Sequence, residues 1–254
     1  MKLLISLLIA LSGLGAACHT QGNPSPVTSA APADSARGFA VVELFTSEGC
    51  SSCPPADQVL AKVQRDLGDK AVYILAFHVS YWDRLGWKDA FSDPAWTQRQ
   101  GSYATWLHLP SVYTPEVVVN GRTEFVGSEE TRLRQTITSD LQQTSNTTLT
   151  LEHVQKTPTQ VSIDYQTNGT GNLLFALIQK NATTNVQRGE NAGATLSHVQ
   201  IVRSLLTLSL ASAGNKGTAR LALPEGLDGQ QLEVIAFVQN KETGLISAGA
   251  KSSL

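Results

Sequence analysis

The residues best suited to chemistry in this sequence are Cys50-Ser51-Ser52-Cys53. Two cysteines at this spacing can close a disulfide within one turn of chain and reopen it by exchange, in which a thiolate attacks a sulfur. A helix starting at such a motif lowers a cysteine's pKa, because unpaired N–H groups and the positive end of the dipole face the sulfur. Cys50 is therefore expected to be the exposed attacking thiol and Cys53 the more buried resolving one. Pro54 and Pro55 shift the frame. A ring beyond the first turn meets a backbone carbonyl, so the regular helix is expected to start near Cys53 with Pro54 in its first position. His78, at the end of the apolar run Ala71–Val79, is a candidate acid/base for the exchange, or a third ligand beside the two thiolates for a soft ion such as Cu(I). His19, His108, His153 and His198 show no metal-ligand spacing, and no closed structural zinc site is expected.

The elements that must hold these residues follow from pattern. Val41–Phe45 is a short β-branched and aromatic run ahead of the cysteines. After them Val59, Leu60, Val63 and Leu67 form one apolar helical stripe, with Gly68 where a C-cap belongs. Ala71–Val79 then reads as a buried parallel strand. Strand, C-x-x-C, helix, strand is how a thioredoxin fold opens. Val112–Val119 leads into Asn120-Gly121, a type I′ turn signal, and Arg122–Val126 returns as a second strand. Thr114-Pro115, just before that strand, is the candidate for a cis-proline step that presents backbone beside the disulfide to a substrate. Ser128–Leu141 carries Leu133, Ile137 and Leu141 on one face and reads as a helix.

Two stretches exceed this plan. All four tryptophans lie between Trp82 and Trp106, and residues 80–107 read as an aromatic helical insert beside the cysteines. Tyr81, Trp82, Asp83 and Trp87 are candidate substrate-binding residues of its wall, while aromatics such as Trp96 fit a core role. From residue 146 the texture becomes threonine-rich alternation separated by Gly and Asn turns, which suggests a β-sandwich. Within it Arg188-Gly189-Glu190-Asn191 reads as a polar loop. The expected fold class is thus an α/β thioredoxin-like domain over 38–145 followed by an all-β sandwich-like domain over 146–254.

Ahead of both, Met1-Lys2, the apolar run Leu3–Leu14 and Gly15-Ala16-Ala17 have the form of a secretory signal over 1–17. Cys18 directly follows the small residues, as in a bacterial lipobox, and is the candidate lipidation site; 18–37, rich in Pro, Ser and Ala, reads as a flexible tether. Lipidation also accounts for the odd total of three cysteines. A chain of 254 residues with 41% hydrophobic and 16% charged residues is long enough to bury a core without disulfide scaffolding. Its formal net charge of −2 lacks the basic excess of a general nucleic-acid binder. The expected setting is the bacterial periplasm, with the membrane reached by the lipid anchor alone.

Five blocks, VVELFTSEGCSSCPPAD, HVSYWDRLGWKDAF, TQRQGSYA, SVYTPEVVVNGR and RGENAGATLSHVQIVR, occur in one order between about Phe39 and Ser247. Together they resemble the secreted bacterial proteins of domain-of-unknown-function family 1223. The resemblance implies a thioredoxin-like fold and a redox role with an unknown substrate. Family members usually carry Gln after the Thr-Pro, where this chain has Glu116; a carboxylate facing the thiolate raises the Cys50 pKa.

The expected function is a membrane-tethered periplasmic thiol-disulfide oxidoreductase acting on a protein or small-molecule thiol or disulfide. Cys50 attacks, Cys53 resolves, Pro115 with Thr114 and Glu116 presents substrate, and no cofactor is needed beyond the disulfide. Two alternatives stay open: a Cu(I)-handling protein using Cys50 and Cys53 with or without His78, and a non-catalytic adaptor whose pair is a structural disulfide.

Overall fold

The computed structural model describes residues 38–254 apart from residue 228. The expected signal segment, Cys18 and the tether lie outside the described residues. Among the described residues no helix is long and apolar enough to cross a membrane.

The strands β1 (Ala40–Thr46) and β2 (Val72–His78) pair in parallel, joined by helix α1 (Pro54–Leu67). Both are buried on two faces, as their continuous apolar runs require. A single 3₁₀ segment, Ser80–Leu85, and helix α2 (Pro94–Trp106) follow; Asp93 caps α2, its side chain accepting from the Ala95 N–H at 2.8 Å. The hairpin β3 (Glu116–Val119) and β4 (Thr123–Val126) turns through Asn120 and Gly121 at φ 49° and 66°, the positive angles that a type I′ turn needs. Helix α3 (Glu130–Leu141) buries Leu133 and Ile137.

The second half contributes β5 (Leu149–Lys156), β6 (Gln160–Thr167), β7 (Asn172–Asn185), β8 (Thr195–Ser209), β9 (Lys216–Ala222), β10 (Leu232–Gln239) and β11 (Ile246–Ser253). These do not form a separate sandwich. Strands β1–β4, β7, β8, β10 and β11 make one eight-stranded mixed sheet in the order β11-β10-β7-β8-β2-β1-β3-β4, and β5, β6 and β9 make a three-stranded sheet. The expected thioredoxin-like domain followed by a β-sandwich is therefore corrected: the molecule is mostly β, and its main sheet runs through both halves of the chain. The join is β2 to β8, parallel at Ala76 and Ile201. Its physical cause is an edge. β2, apolar on both faces, has β1 on one side only within the first half, and an unpaired buried edge leaves N–H and C=O groups without partners; β8 supplies them.

Three clusters fill the layers. On one sheet face Val41, Phe45, Phe77, Trp96 and Tyr103 pack with Ile178, Ile235 and Phe237, spanning both halves. On the other face α1 and α3 cover β1 and β3 through Leu44, Leu60, Val63, Leu133 and Ile137. The three-stranded sheet covers β7 and β10 through Ile163, Tyr165, Phe175 and Val234. An ion pair is set into the first of these. Arg99 grips Glu43 of β1 at 2.5 and 2.9 Å, lies over the rings of Phe77, Tyr103 and Phe237, and reaches Gln239 of β10. This fixes α2, and with it the neighbouring Gln100, against the sheet.

Candidate functional site around the buried disulfide

Cys50 and Cys53 are joined, with their Cα atoms 5.4 Å apart. The helix opens at Pro54 with Cys53 as its cap residue, as the proline rings predict, and Cys50 sits in the preceding turn: the Cys53 N–H donates to the Cys50 carbonyl at 3.2 Å. The expected contrast between an exposed and a buried sulfur is absent. Both cysteines are 0% exposed, while Ser51 and Ser52 between them face solvent.

One flank of the disulfide is built by the 3₁₀ segment, α2 and the strand entry. The Thr114–Pro115 bond is cis. The Thr114 carbonyl oxygen lies 3.8 Å from Cys50 Sγ and accepts from the Ser52 hydroxyl at 3.4 Å, and the Trp82 indole N–H donates to Thr114 Oγ1 at 2.8 Å. The structure thus brings Cys50, Cys53, Thr114, Pro115 and Trp82 together. Glu116 follows, fully buried; Gln100 donates from Nε2 to its Oε2 at 2.6 Å and to the Tyr113 carbonyl at 2.6 Å. Burial pushes the Glu116 carboxyl up to about 7, the Gln100 hydrogen bond opposes this, and the fields of Glu124 and Glu43 add to it. The Tyr81 hydroxyl is buried beside Gln100 and Thr114.

The other flank is an acid–imidazole cluster. His78 donates from Nδ1 to Asp89 at 2.7 Å, and Asp89 also accepts from the Glu48 and Phe91 backbone N–H groups at 2.9 and 2.8 Å. Burial pushes the Asp89 carboxyl up, but the His78 charge and hydrogen bond outweigh it and the pKa falls below its usual value. The Trp87 indole donates to Glu48 at 2.7 Å. His198, from β8, stands between Glu48 at 3.5 Å on Nε2 and Asp57 at 3.7 Å on Nδ1. These separations are charge pairings longer than hydrogen bonds. Burial lowers the His198 pKa, Asp57 and Glu48 raise it more, and the imidazole ends at about 9. With each ring nitrogen facing a different carboxylate, the ring is suited to carry a proton on both. Among the described residues no group of three His, Cys, Asp or Glu side chains has the geometry to hold a metal ion.

The hairpin joining β7 and β8 closes the site from above. Glu190 accepts from the Ser51 N–H and hydroxyl at 3.0 and 2.7 Å, and Asn191 donates to the Glu48 and Cys50 carbonyls at 2.9 and 3.0 Å. Asp83, a candidate substrate-binding residue, accepts from the Asp89 N–H and Ser92 hydroxyl and so shapes the loop that carries Asp89. Cys18 lies outside the described residues. Sequence reasoning missed Glu48, Asp57, Gln100 and His198 as site residues and left Glu190 and Asn191 as a polar loop. The available signal was their membership of the same five blocks as the cysteines.

A family model described as a protein of unknown function (DUF1223) matches residues 41–239, a span that includes every residue of both flanks. This chain belongs to the DUF1223 family. The DUF1223 chain is similar to the X-ray crystal structure of protein AGR_C_4864 from Agrobacterium tumefaciens, with 28% identity, a TM-score of 0.61, and coverage of 85% of this chain and 93% of that one. Two structures of a beta-glucosidase from Kluyveromyces marxianus match at 10% identity, with TM-scores of 0.19 and 0.20, over 43% and 53% of this chain and 14% and 18% of theirs. Likeness at that level carries no argument. No curated protein matches the DUF1223 chain.

Proposed function

We propose that this protein is a thiol-disulfide oxidoreductase working through Cys50 and Cys53, with the segment before Gly38 serving as export signal and lipid-anchored tether to the periplasmic face of a membrane. The observation that carries the reading is the Cys50–Cys53 disulfide at the start of α1, with the Thr114 carbonyl 3.8 Å from Cys50 Sγ on one side and the Glu48–His198–Asp57 cluster on the other. A chain of this size does not need one short-range bridge for stability. Ionisable groups gathered in a buried shell around a reducible bond fit chemistry better than packing.

The steps balance as an exchange. In the reducing direction the Cys50 thiolate attacks a substrate disulfide and one substrate sulfur leaves as a thiolate; the Cys53 thiolate then attacks Cys50 Sγ, the second substrate sulfur leaves, and the substrate has gained the two electrons that the new Cys50–Cys53 disulfide gave up. An external dithiol such as dithiothreitol returns the pair to the reduced form, and the same steps in reverse oxidise a substrate dithiol. The test is insulin reduction and trapping of mixed disulfides. Cys53→Ser is expected to accumulate mixed disulfides through Cys50, and Cys50→Ser to lose both trapping and reduction. Unchanged activity in Cys50→Ser ends the proposal.

The complete burial of both cysteines favours a second reading, a structural disulfide in a non-catalytic adaptor. The reduction potential separates the two: a value below about −300 mV is that of a structural bridge, and a higher one that of a working pair.

A further inference from the structure

Among the described residues nine buried side-chain polar atoms have no hydrogen-bond partner, and seven belong to the two flanks of the disulfide. Two of the seven, Gln100 Oε1 and Glu116 Oε1, sit on side chains already joined through Nε2 and Oε2 at 2.6 Å, and a third, Tyr81 Oη, stands beside Gln100 and Thr114. Their protons can be counted. Gln100 gives both Nε2 hydrogens away, to the Tyr113 carbonyl and to Glu116 Oε2. Its amide orientation is thereby fixed, because the reverse would set Oε1 against two oxygens. Gln100 Oε1 is therefore an acceptor. If Glu116 is ionised, its Oε1 is a second acceptor, and the Tyr81 hydroxyl, itself without a partner, is bonded to neither. If Glu116 is protonated, its own hydroxyl supplies the proton that the Gln100–Glu116 pair lacks. A buried acceptor left unpaired is costly, so the hydrogen-bond inventory by itself calls for the neutral acid.

The charges packed around Glu116 agree. β1 brings Glu43 and β4 brings Glu124, both acidic. The loop before β3 brings Tyr113, whose hydroxyl donates to Glu124, and the 3₁₀ segment brings Tyr81. The neighbouring cations are committed elsewhere: Arg99 of α2 to Glu43, with Tyr103 alongside, and Arg132 of α3 to Glu129 and the Glu124 carbonyl.

We propose that Glu116 is held protonated beside the disulfide and that loss of its proton suppresses thiolate formation at Cys50. Glu116 stands two residues beyond Thr114, whose carbonyl touches Cys50 Sγ. The path from Sγ through the Thr114 carbonyl, two residues of about 7 Å and the Glu116 side chain keeps the carboxylate within roughly 18 Å of the sulfur. A charge at that distance in partly buried protein, at an effective dielectric of about 20, changes an ionisation by about fivefold. Glu116 neither bonds to substrate nor transfers its proton in the exchange; it acts through the field it places on Cys50. The effect on activity deepens the oxidoreductase reading and rests on it, whereas the proton itself does not.

Two measurements on the protein test this, each independent of any partner protein. The first is infrared difference spectroscopy of the carboxyl stretch. A protonated-carboxyl band is expected at slightly acid pH, fading as pH rises through about 7, and absent from Glu116→Gln, which has nearly the shape of the neutral acid. The second is the ultraviolet thiolate titration of the reduced protein. Glu116→Gln is expected to carry about fivefold more Cys50 thiolate than the unmodified chain above neutrality and equal thiolate well below it. Superimposable thiolate curves, or an infrared band unchanged by Glu116→Gln, overturn the inference. If both spectra behave as expected and Cys50→Ser still reduces insulin normally, the protonated Glu116 stands and the oxidoreductase reading falls.

Discussion

His198 concentrates the electrostatics of one side of the disulfide in a single ring. Flanked by Glu48 and Asp57, it is raised to about 9 in the folded protein against an ordinary value of 6.5. A basic group whose folded pKa is raised stabilises the fold fully below its unfolded pKa and loses that contribution as pH climbs through the folded one. The window here runs from about 6.5 to about 9. His198→Gln is therefore expected to be less stable than the unmodified chain near pH 6, by a margin of the order of 3 kcal/mol. The difference should shrink across that window. Denaturant unfolding of both proteins at a series of pH values checks this; a constant difference would mean that the ring acts by packing alone. Of these residues the sequence made legible the cysteines, His78, Tyr81, Trp82, Trp87, Thr114, Pro115 and Glu116, whose types or local context advertise chemistry. His198 stands 145 residues beyond Cys53, and nothing local marks an isolated histidine in a strand.

At the scale of elements the β7–β8 hairpin matters most. Its strands have 14 and 15 residues, well beyond the usual five or six, and the excess carries the Arg188–Asn191 turn onto the cysteine loop. Lys180–Asn185 alternates polar residues and resembles a loop to a pattern reading, so the hairpin's true length was hidden; its ladder is held by pairing with β8 from Asn181 to Asn185. Four hydrogen bonds join Glu190 and Asn191 to the chain at Glu48–Ser51. At roughly 0.5–1.5 kcal/mol net for each, their joint removal is enough to loosen the turn. The double variant Glu190→Ala, Asn191→Ala is expected to speed reduction of the disulfide by dithiothreitol at least tenfold, with faster amide exchange at residues 48–53 than in the unmodified chain. A reduction rate within twofold of the unmodified chain would show that the hairpin does not guard the sulfurs.

The whole molecule is organised by its eight-stranded sheet. β8 completes the edge of β2, and the cluster of Phe45, Phe77 and Tyr103 includes Ile178, Ile235 and Phe237, so the first half of the chain closes one of its two core clusters only with residues of the second. Residues 38–145 expressed alone are expected to lack cooperative melting, and the full chain to unfold in one calorimetric transition with equal calorimetric and van't Hoff enthalpies. Two separated transitions would restore the picture of independent halves.

Local matters were decided by the sequence: the C-x-x-C turn, the start of α1 at Pro54, the Asn120-Gly121 hairpin and the apolar stripes of α1 and α3. Each depends on backbone angles, ring sterics or periodicity within a few residues. Tertiary structure alone decided which strands share a sheet, that both sulfurs are buried, and that residues from all five blocks surround them. Strand order and burial depend on which distant edges and faces meet, and two edges with the same apolar pattern are indistinguishable until the rest of the chain has filled the space between them.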